Sequence, residues 1–271
     1  MRLEGRTALV TGSAKGLGRR TALELAALGC DVAINYVRSR SEAEELVREI
    51  QGMGRRAAAI QGDIAIAEQS ERLVEETEAR LGGVDILVNN AGPFIRERKL
   101  FADYSVNDIH YLMNGNLVGT MLLDHRVLPG MRARQWGRII HFGFGRAAET
   151  RSWPHRAVYA AAKVGLVSFT KTLAEEEAGS GITVNMICPG DIRGEYKEKG
   201  IADVQGILDD ESLRGRPGTG EDVARMIGFL CLPESDFVTG NAIEISGGFD
   251  PIVSLVRQAG GQRAEKSGSR P

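Results

Sequence analysis

Cysteine is scarce in this sequence: Cys30, Cys188 and Cys231 are the only three in 271 residues. Their odd number, wide spacing and apolar neighbours exclude a disulfide framework and a Cys-x-x-Cys zinc site, and predict reduced thiols in the core. An excess of one charge is also missing. Thirty-four Lys and Arg face thirty-six Asp and Glu, a net charge of −2, so no bulk electrostatic case exists for nucleic acid or an anionic membrane. Histidine is rare, and no grouping of His, Cys and acids predicts a metal site. No apolar run approaches membrane-spanning length, and the first twelve residues, MRLEGRTALVTG, carry no signal-peptide core. A cytoplasmic, soluble protein is therefore expected.

What is present is an alternation of short apolar runs with helical patterns. The runs TALVTG (7–12), DVAINY (31–36), AAAIQGD (57–63), VDILVNNAG (84–92), GRIIHFG (137–143), ITVNMICPG (182–190) and AIEISGG (242–248) read as seven strands. Their apolar residues are continuous rather than alternating, which indicates a sheet covered on both faces. Helical patterns at 18–29, 41–54 and 67–82 separate the first four, which indicates parallel βαβ units. Ser41, with Glu44 three residues on, predicts a capping box for the second helix. The fold class is α/β: one doubly wound, parallel-sheet domain over residues 1–257. The segment 258–271, rich in Gly, Ser, Lys and Arg without apolar periodicity, is expected to be a flexible tail. The basic run RERK (96–99) reads as a solvated loop, with contact to an anionic substrate group as the sharper alternative.

The first strand runs into TGSAKGLGRR, with glycines at 12, 16 and 18 at a strand-to-helix turn. In such a turn Gly12 permits the tight bend, Gly16 lets the backbone approach a pyrophosphate, and Gly18 lets the helix pack on the sheet. The helix N-terminus then offers free N–H groups to the phosphates. The second strand ends AINYVRSR, without the acid that would accept from a ribose 2′-hydroxyl. Arg38, Arg40 and Lys15 are available instead to pair with a 2′-phosphate, which predicts NADP(H).

Thr11-Gly12-Ser13-Ala14-Lys15-Gly16-Leu17-Gly18, followed by Asn89-Asn90-Ala91-Gly92, Asn116-Leu117-x-Gly119, Tyr159-x-x-x-Lys163 and Pro189-Gly190, resembles the short-chain dehydrogenases/reductases. The match runs from about Leu3 to Gly248 and is nearest the 3-oxoacyl-carrier-protein reductase and glucose dehydrogenase branch. The resemblance implies a Rossmann-like fold and a cofactor site that includes Gly12, Ser13, Lys15, Gly16, Leu17, Gly18, Arg38, Asp63, Ile64, Asn90, Ala91, Gly92, Tyr159, Lys163, Pro189, Gly190 and Ile192. Asp63 and Ile64 would flank the adenine, Asn90 to Gly92 the ribose, and Ile192 the nicotinamide carboxamide. The Thr usual in the family after Pro189 is Gly194 here. The family's last strand usually lies at a subunit contact, which implies a homotetramer, else a dimer.

Tyr159 and Lys163 stand one helical turn apart. A free phenol titrates near pH 10, about three units above neutrality, and a nearby ammonium lowers that value, so that Tyr159 could serve as general acid/base toward a carbonyl oxygen. By resemblance Lys163 also binds the nicotinamide ribose, and Asn116 supports a proton-relay water. The resemblance also exposes a gap: the family's catalytic serine falls at Phe144, and the segment from there to Tyr159 is two residues longer than usual. Loss of one donor to a developing oxyanion costs about 3–4 kcal/mol of barrier. Three readings stay open. Ser152, Thr150, His155 or a backbone N–H of GFGR replaces the hydroxyl; or Phe144 shapes an apolar pocket and Tyr159 acts alone; or turnover is lost and the chain is a degenerate NADP(H)-binding or regulatory protein. Trp153 is a candidate pocket wall, Phe142 reads as core, and His141 as a satisfied buried imidazole. The expected activity is reversible hydride transfer to a carbonyl substrate, with a 3-oxoacyl thioester suggested by the resemblance and a polar lid expected over 191–215.

Overall fold

The computed structural model describes residues 2–210 and 212–248; the expected tail and the boundary at 257 lie outside them. The first half alternates strictly: β1 (Thr7–Val10), α1 (Gly16–Leu28), β2 (Asp31–Tyr36), α2 (Arg40–Gly52), β3 (Ala57–Gln61), α3 (Ala67–Leu81) and β4 (Ile86–Asn89). The second half continues with α4 (Val106–Met113), α5 (Gly119–Arg134), β5 (Gly137–Phe142), α6 (Ala157–Glu177), β6 (Ile182–Pro189), α7 (Gly220–Cys231) and β7 (Ala242–Ile245). Among the described residues the strands form one seven-stranded sheet in the order β3-β2-β1-β4-β5-β6-β7, every pairing parallel.

Continuous apolar strands produce two cores because successive side chains point to opposite faces. Val10, Val88 and Ile140 join Leu25, Ile34 and Ile227 on one face. Their neighbours Leu9, Leu87 and Ile139 join Leu73, Leu123 and Val127 on the other. Burial of all three thiols follows from these layers. Desolvation pushes the Cys188 and Cys231 thiols up to about 12, and Cys30 higher still.

Strand edges fall one to three residues inside several expected runs, because ladder pairing ends where the chain turns into loops. Helix α1 stops at Gly29, whose φ of 114° is left-handed and whose N–H closes back on Ala26. The start of α2 differs from the expectation at Ser41. The helix begins at Arg40, with Ser39 before it and no side-chain cap. Glu44 instead accepts from Arg40 Nε at 2.8 Å, a pairing one turn apart on an exposed face. Capping boxes do form where sequence analysis proposed none, at Ser105/Asp108 before α4 and Thr219/Asp222 before α7.

Two features aim the sheet at a site. The chain leaves β1 toward β2 and β3, then crosses back to lay β4 on the other side of β1, so the strand order reverses at the C-terminal ends of β1 and β4. Such a switch point opens a crevice for ligands. Between α4 and α5, residues Asn114–Val118 form a π-helical turn, a wide turn often found at functional sites.

Candidate active site

The glycine loop is shaped by contacts no side chain could share. Gly12 and Gly16 are left-handed, at φ 59° and 64°. A Cβ on Gly18 would lie 2.6 Å from Asn90 Nδ2 and 2.7 Å from Gly12 O, and one on Gly12 would lie 3.2 Å from Ala91. Asn90 Nδ2 donates to Thr11 O at 2.8 Å and Gly12 O at 3.1 Å, tying the end of β4 to the loop. Asn35, which sequence analysis did not single out, braces it from β2: its Oδ1 accepts from Gly12 N–H at 3.0 Å, and its Nδ2 donates to Gly62 O at 2.9 Å. A buried Asn in the apolar run AINY was the available signal, since a buried amide needs partners. Ser13 serves the same bracing. Its fully buried hydroxyl donates to Val10 O at 2.6 Å and accepts from Asn35 N–H at 3.2 Å, so it is committed to the fold and not turned to a ligand. Leu17 likewise packs toward the core beside α1.

From the loop a cleft of about 500 Å³ runs between the ends of β1, β2 and β4, lined among others by Lys15, Arg38, Asp63, Ile64 and Asn90 to Gly92. Tyr111 of α4 closes its far side, a contribution that only the packing of α4 reveals. Arg38 faces this cleft. Lys15 lines it too while its ammonium pairs with Glu42 at 2.5 Å. Arg40, expected alongside them, belongs to a different groove with Glu44, Val47 and Arg48, because it starts α2 and points along that helix. Asp63 turns one carboxylate oxygen to Ala65 N–H at 3.0 Å.

Tyr159 and Lys163 lie on the first turns of α6. Lys163 is buried and its Nζ donates to Phe142 O at 2.7 Å. The ammonium stands 5.9 Å from the centre of the Tyr159 ring. Burial, with a smaller contribution from Cys188, pushes the Tyr159 phenol up to about 12. Burial holds Lys163 down to about 8, against an opposing pull from Cys188. The expected lowering of the phenol by its lysine is thus not the balance found here: desolvation dominates both groups. Asn116 sits in the π-helical turn, fully buried, with Nδ2 donating to Pro93 O at 2.8 Å and Leu112 O at 3.0 Å. Its Oδ1 has no partner among the described residues. A Cβ on Gly92 would lie 2.5 Å from that oxygen and 3.5 Å from Lys163 Nζ, so an unsatisfied acceptor and a buried ammonium converge over Gly92.

Phe144 is buried against Leu166, Val167, Met186 and Cys188. Trp153 covers it at 4.8 Å between ring centres. Trp153 and Phe94 both stand edge-on to Tyr159, at 5.9 and 5.0 Å. The lengthened segment before α6 therefore brings an aromatic cluster to Tyr159 where a serine was expected. Thr150 and Ser152 are exposed. The carbonyl of His155 accepts from Tyr104 Oη at 3.2 Å while its ring Nδ1 is buried without a partner among the described residues, and Gly143 N–H, at the start of GFGR, is used by Ile187 O. His141 is a satisfied imidazole: Nε2 meets Asp124 and Nδ1 meets Thr170, each at 2.8 Å.

Gly190 and Ile192 line a second, smaller cavity of about 110 Å³ with Arg193, Arg214 and Ser246; Pro189 ends β6 beside it. Residues 197–201 belong to the expected lid. This segment is seated on the starts of α1 and α7. Glu198 Oε1 accepts from Gly16 N–H at 2.6 Å, and Glu221 Oε2 accepts from Ile201 N–H at 2.6 Å. Nothing local in the sequence marks Glu198, which lies 182 residues from its donor.

The residues present fit a dinucleotide: a loop with left-handed Gly12 and Gly16 and a Gly18 that has no room for a Cβ, a loop N–H already receiving a carboxylate, and an unsatisfied acceptor beside a buried ammonium. Comparison with known proteins agrees. Residues 12–250 match the family described as Enoyl-(Acyl carrier protein) reductase. The chain is 44% identical over 248 residues to the Bacillus subtilis protein named "Putative oxidoreductase YtkK", covering 91% of this chain and 97% of that one. It is 36% identical to a 3-oxoacyl-[acyl-carrier-protein] reductase of Synechocystis, with 91% and 97% covered. A blue fluorescent protein from a metagenomic library, solved with NADPH, superposes with a TM-score of 0.80 at 33% identity, covering 92% of this chain and 99% of that one. With the parallel sheet, the glycine loop and the Tyr-x-x-x-Lys helix in the same chain, this protein belongs to the short-chain dehydrogenase/reductase family of oxidoreductases.

Proposed function

We propose that this protein is an NADP(H)-dependent oxidoreductase that interconverts a carbonyl and an alcohol. The observation that carries the reading is the convergence of Asn116 Oδ1 and Lys163 Nζ over Gly92, at the inner end of the cleft and next to Tyr159 on α6. The cofactor would supply or accept the hydride at the substrate carbon. The chain's own residues handle binding and the proton.

Gly12, Gly16 and Gly18 give the backbone clearance for the diphosphate, and Lys15 and Arg38 line the end of the cleft where a 2′-phosphate would be recognised. Asp63, Ile64, Asn90 and Ala91 wall the adenosine half. Tyr159 gives its proton to the substrate oxygen as the carbon is reduced, and takes it back in the reverse direction. A phenol held near 12 is a reluctant donor. The charge of Lys163 is therefore needed at the moment the phenolate forms, when a neighbouring cation counts most in a water-poor site. The free acceptor of Asn116 holds a water through which Tyr159 and Lys163 are reprotonated. No hydroxyl stands at 144, so Tyr159 polarises the oxygen alone, and Phe94 and Trp153 hold the apolar part of the substrate.

A 3-oxoacyl thioester is the substrate class favoured by the Synechocystis relative's name. A homotetramer, else a dimer, fits the exposed Phe237 and Phe229 leading into β7, and the cytoplasm is the proposed compartment. The test is oxidation of NADPH, followed by absorbance, with a panel of ketones and 3-oxoacyl thioesters, for the parent and Tyr159→Phe. Turnover that collapses in the variant while NADPH binding persists supports the reading. Binding without turnover on any substrate would assign the chain to the NADP(H)-binding proteins instead.

A further inference from the structure

The contact between Glu198 and the glycine loop has a consequence for cofactor entry. Gly16 N–H belongs to the first turn of α1, where an anion is favoured by unpaired amides and the helix dipole. That donor is occupied by the Glu198 carboxylate at 2.6 Å. The segment bearing it is not loosely draped. Lys199 O accepts from Glu221 N–H at 3.3 Å, Ile201 N–H donates to Glu221 Oε2 at 2.6 Å, and Arg20 of α1 stands 3.5 Å from that same carboxylate. Lys197 O approaches α7 so closely that a Cβ on Gly220 would lie 1.8 Å from it. The side chain of Lys197 also lies over Gly16, within 3.9 Å of where a Cβ would sit. Lid, loop and the two helix starts thus form one fitted joint, with a carboxylate at its centre.

We infer that Glu198 is a built-in competitor of the cofactor diphosphate: its carboxylate takes the Gly16 amide that the diphosphate needs, and cofactor binds only as the 197–201 segment lifts. The inference rests on the dinucleotide reading proposed above. Two anions cannot share one N–H donor, and their like charges add to the exclusion. The adenosine end of the cleft, with Arg38 and Asp63, stays open on the far side of this joint. Glu198 therefore weakens the whole dinucleotide without touching its adenosine half, and couples the position of the lid to the occupancy of the loop.

The experiment is direct binding by calorimetry to the parent, Glu198→Gln and Glu198→Lys, with NADPH and with adenosine 2′-monophosphate, which has the adenosine and its 2′-phosphate but no phosphate at the 5′ position. An exposed carboxylate at a helix N-terminus is worth enough to tighten NADPH roughly two- to fivefold in the Gln variant, and further in the Lys variant. The monophosphate should bind all three equally, which also reports that the variants are folded. Hydrogen exchange of the Gly16 amide, measured without nucleotide, should be faster in Glu198→Gln. NADPH affinity unchanged or weakened in Glu198→Gln would overturn the inference while leaving the dinucleotide site intact. Failure of NADPH to bind the parent and both variants would instead sink the proposed function.

Discussion

Replacing Phe144 with serine supplies, on paper, the hydroxyl that the family resemblance leads one to expect there. The structure predicts that Phe144→Ser damages the protein and does not repair it. The ring is 6% exposed and packs on Leu166, Val167, Met186 and Cys188, under Trp153. Truncating a buried Phe costs about 3–5 kcal/mol in lost transfer energy and cavity. A hydroxyl facing that apolar cluster without a partner adds about 1–3 kcal/mol. Partial collapse of Trp153 into the space offsets some of this, so a net loss of about 4 kcal/mol is a fair centre. For a chain of this size each kcal/mol moves Tm by about 2–4 °C, giving a fall of about 8–16 °C. Turnover should drop or stay flat, because Trp153 loses its support beside Tyr159. The assay is thermal unfolding by circular dichroism together with initial rates on the best ketone. A Tm within about 3 °C of the parent's, with turnover raised tenfold or more, would refute the packing argument. It would mean that residue 144 faces the substrate after all.

Three further outcomes follow from the site. Lys163 is buried with its ammonium held down to about 8 from an ordinary 10.5. Between those values the unfolded chain binds the extra proton, so this group makes stability rise with pH across about 8 to 10.5, and its cost is full below 8. Lys163→Met should therefore be more stable than the parent at pH 7, by at most about 3 kcal/mol, and lose that advantage as pH climbs through this window; Tm measured from pH 7 to 10.5 checks it, and turnover should be abolished. Arg38→Ala should weaken NADPH roughly tenfold while leaving NADH nearly unchanged, as read by titration of cofactor fluorescence. Gly18→Ala should fail to bind either nucleotide and unfold at lower temperature, since its Cβ meets Asn90 Nδ2 and Gly12 O inside 2.8 Å; near-parent Tm and affinity would contradict the close-packing role.

The strands and the glycine turn were legible because their signals are local. TALVTG and VDILVNNAG are apolar runs ending in turn residues, and both lie where the sheet reverses direction. Helical spacing put Tyr159 and Lys163 on one face of a helix, but that spacing is common, and it was the family resemblance that singled the pair out. What could not be read were quantities set by distant neighbours. Ser13 sits in the phosphate motif, yet its hydroxyl was claimed by Asn35 from the next strand. Arg40 sits near Arg38 in sequence, but the start of α2 turned it away. The phenol of Tyr159 was expected to fall toward neutrality and instead rose, because the depth of the pocket depends on Trp153 and Phe94 folding over it. No local residue pattern announced a widened turn at Asn114–Val118; what pointed there was the family resemblance, which implies a kinked helix at Asn116.

That widened turn fixes the length of the chain around it. A π turn holds one more residue than an α turn, and each residue in a helix is worth about 100° of rotation. The extra residue sets the phase between α4, which presents Leu112, and α5, which presents Leu123, Val127 and Met131 inward. Deleting one residue from 114 to 118 would let the wide turn close to an α turn with α5 kept nearly in phase, whereas a second extra residue would have no wide turn to absorb it and would carry the apolar stripe of α5 off the sheet. An insertion here is thus equivalent to several core substitutions at once, whereas a deletion would be felt first at Asn116, which the wide turn holds in place.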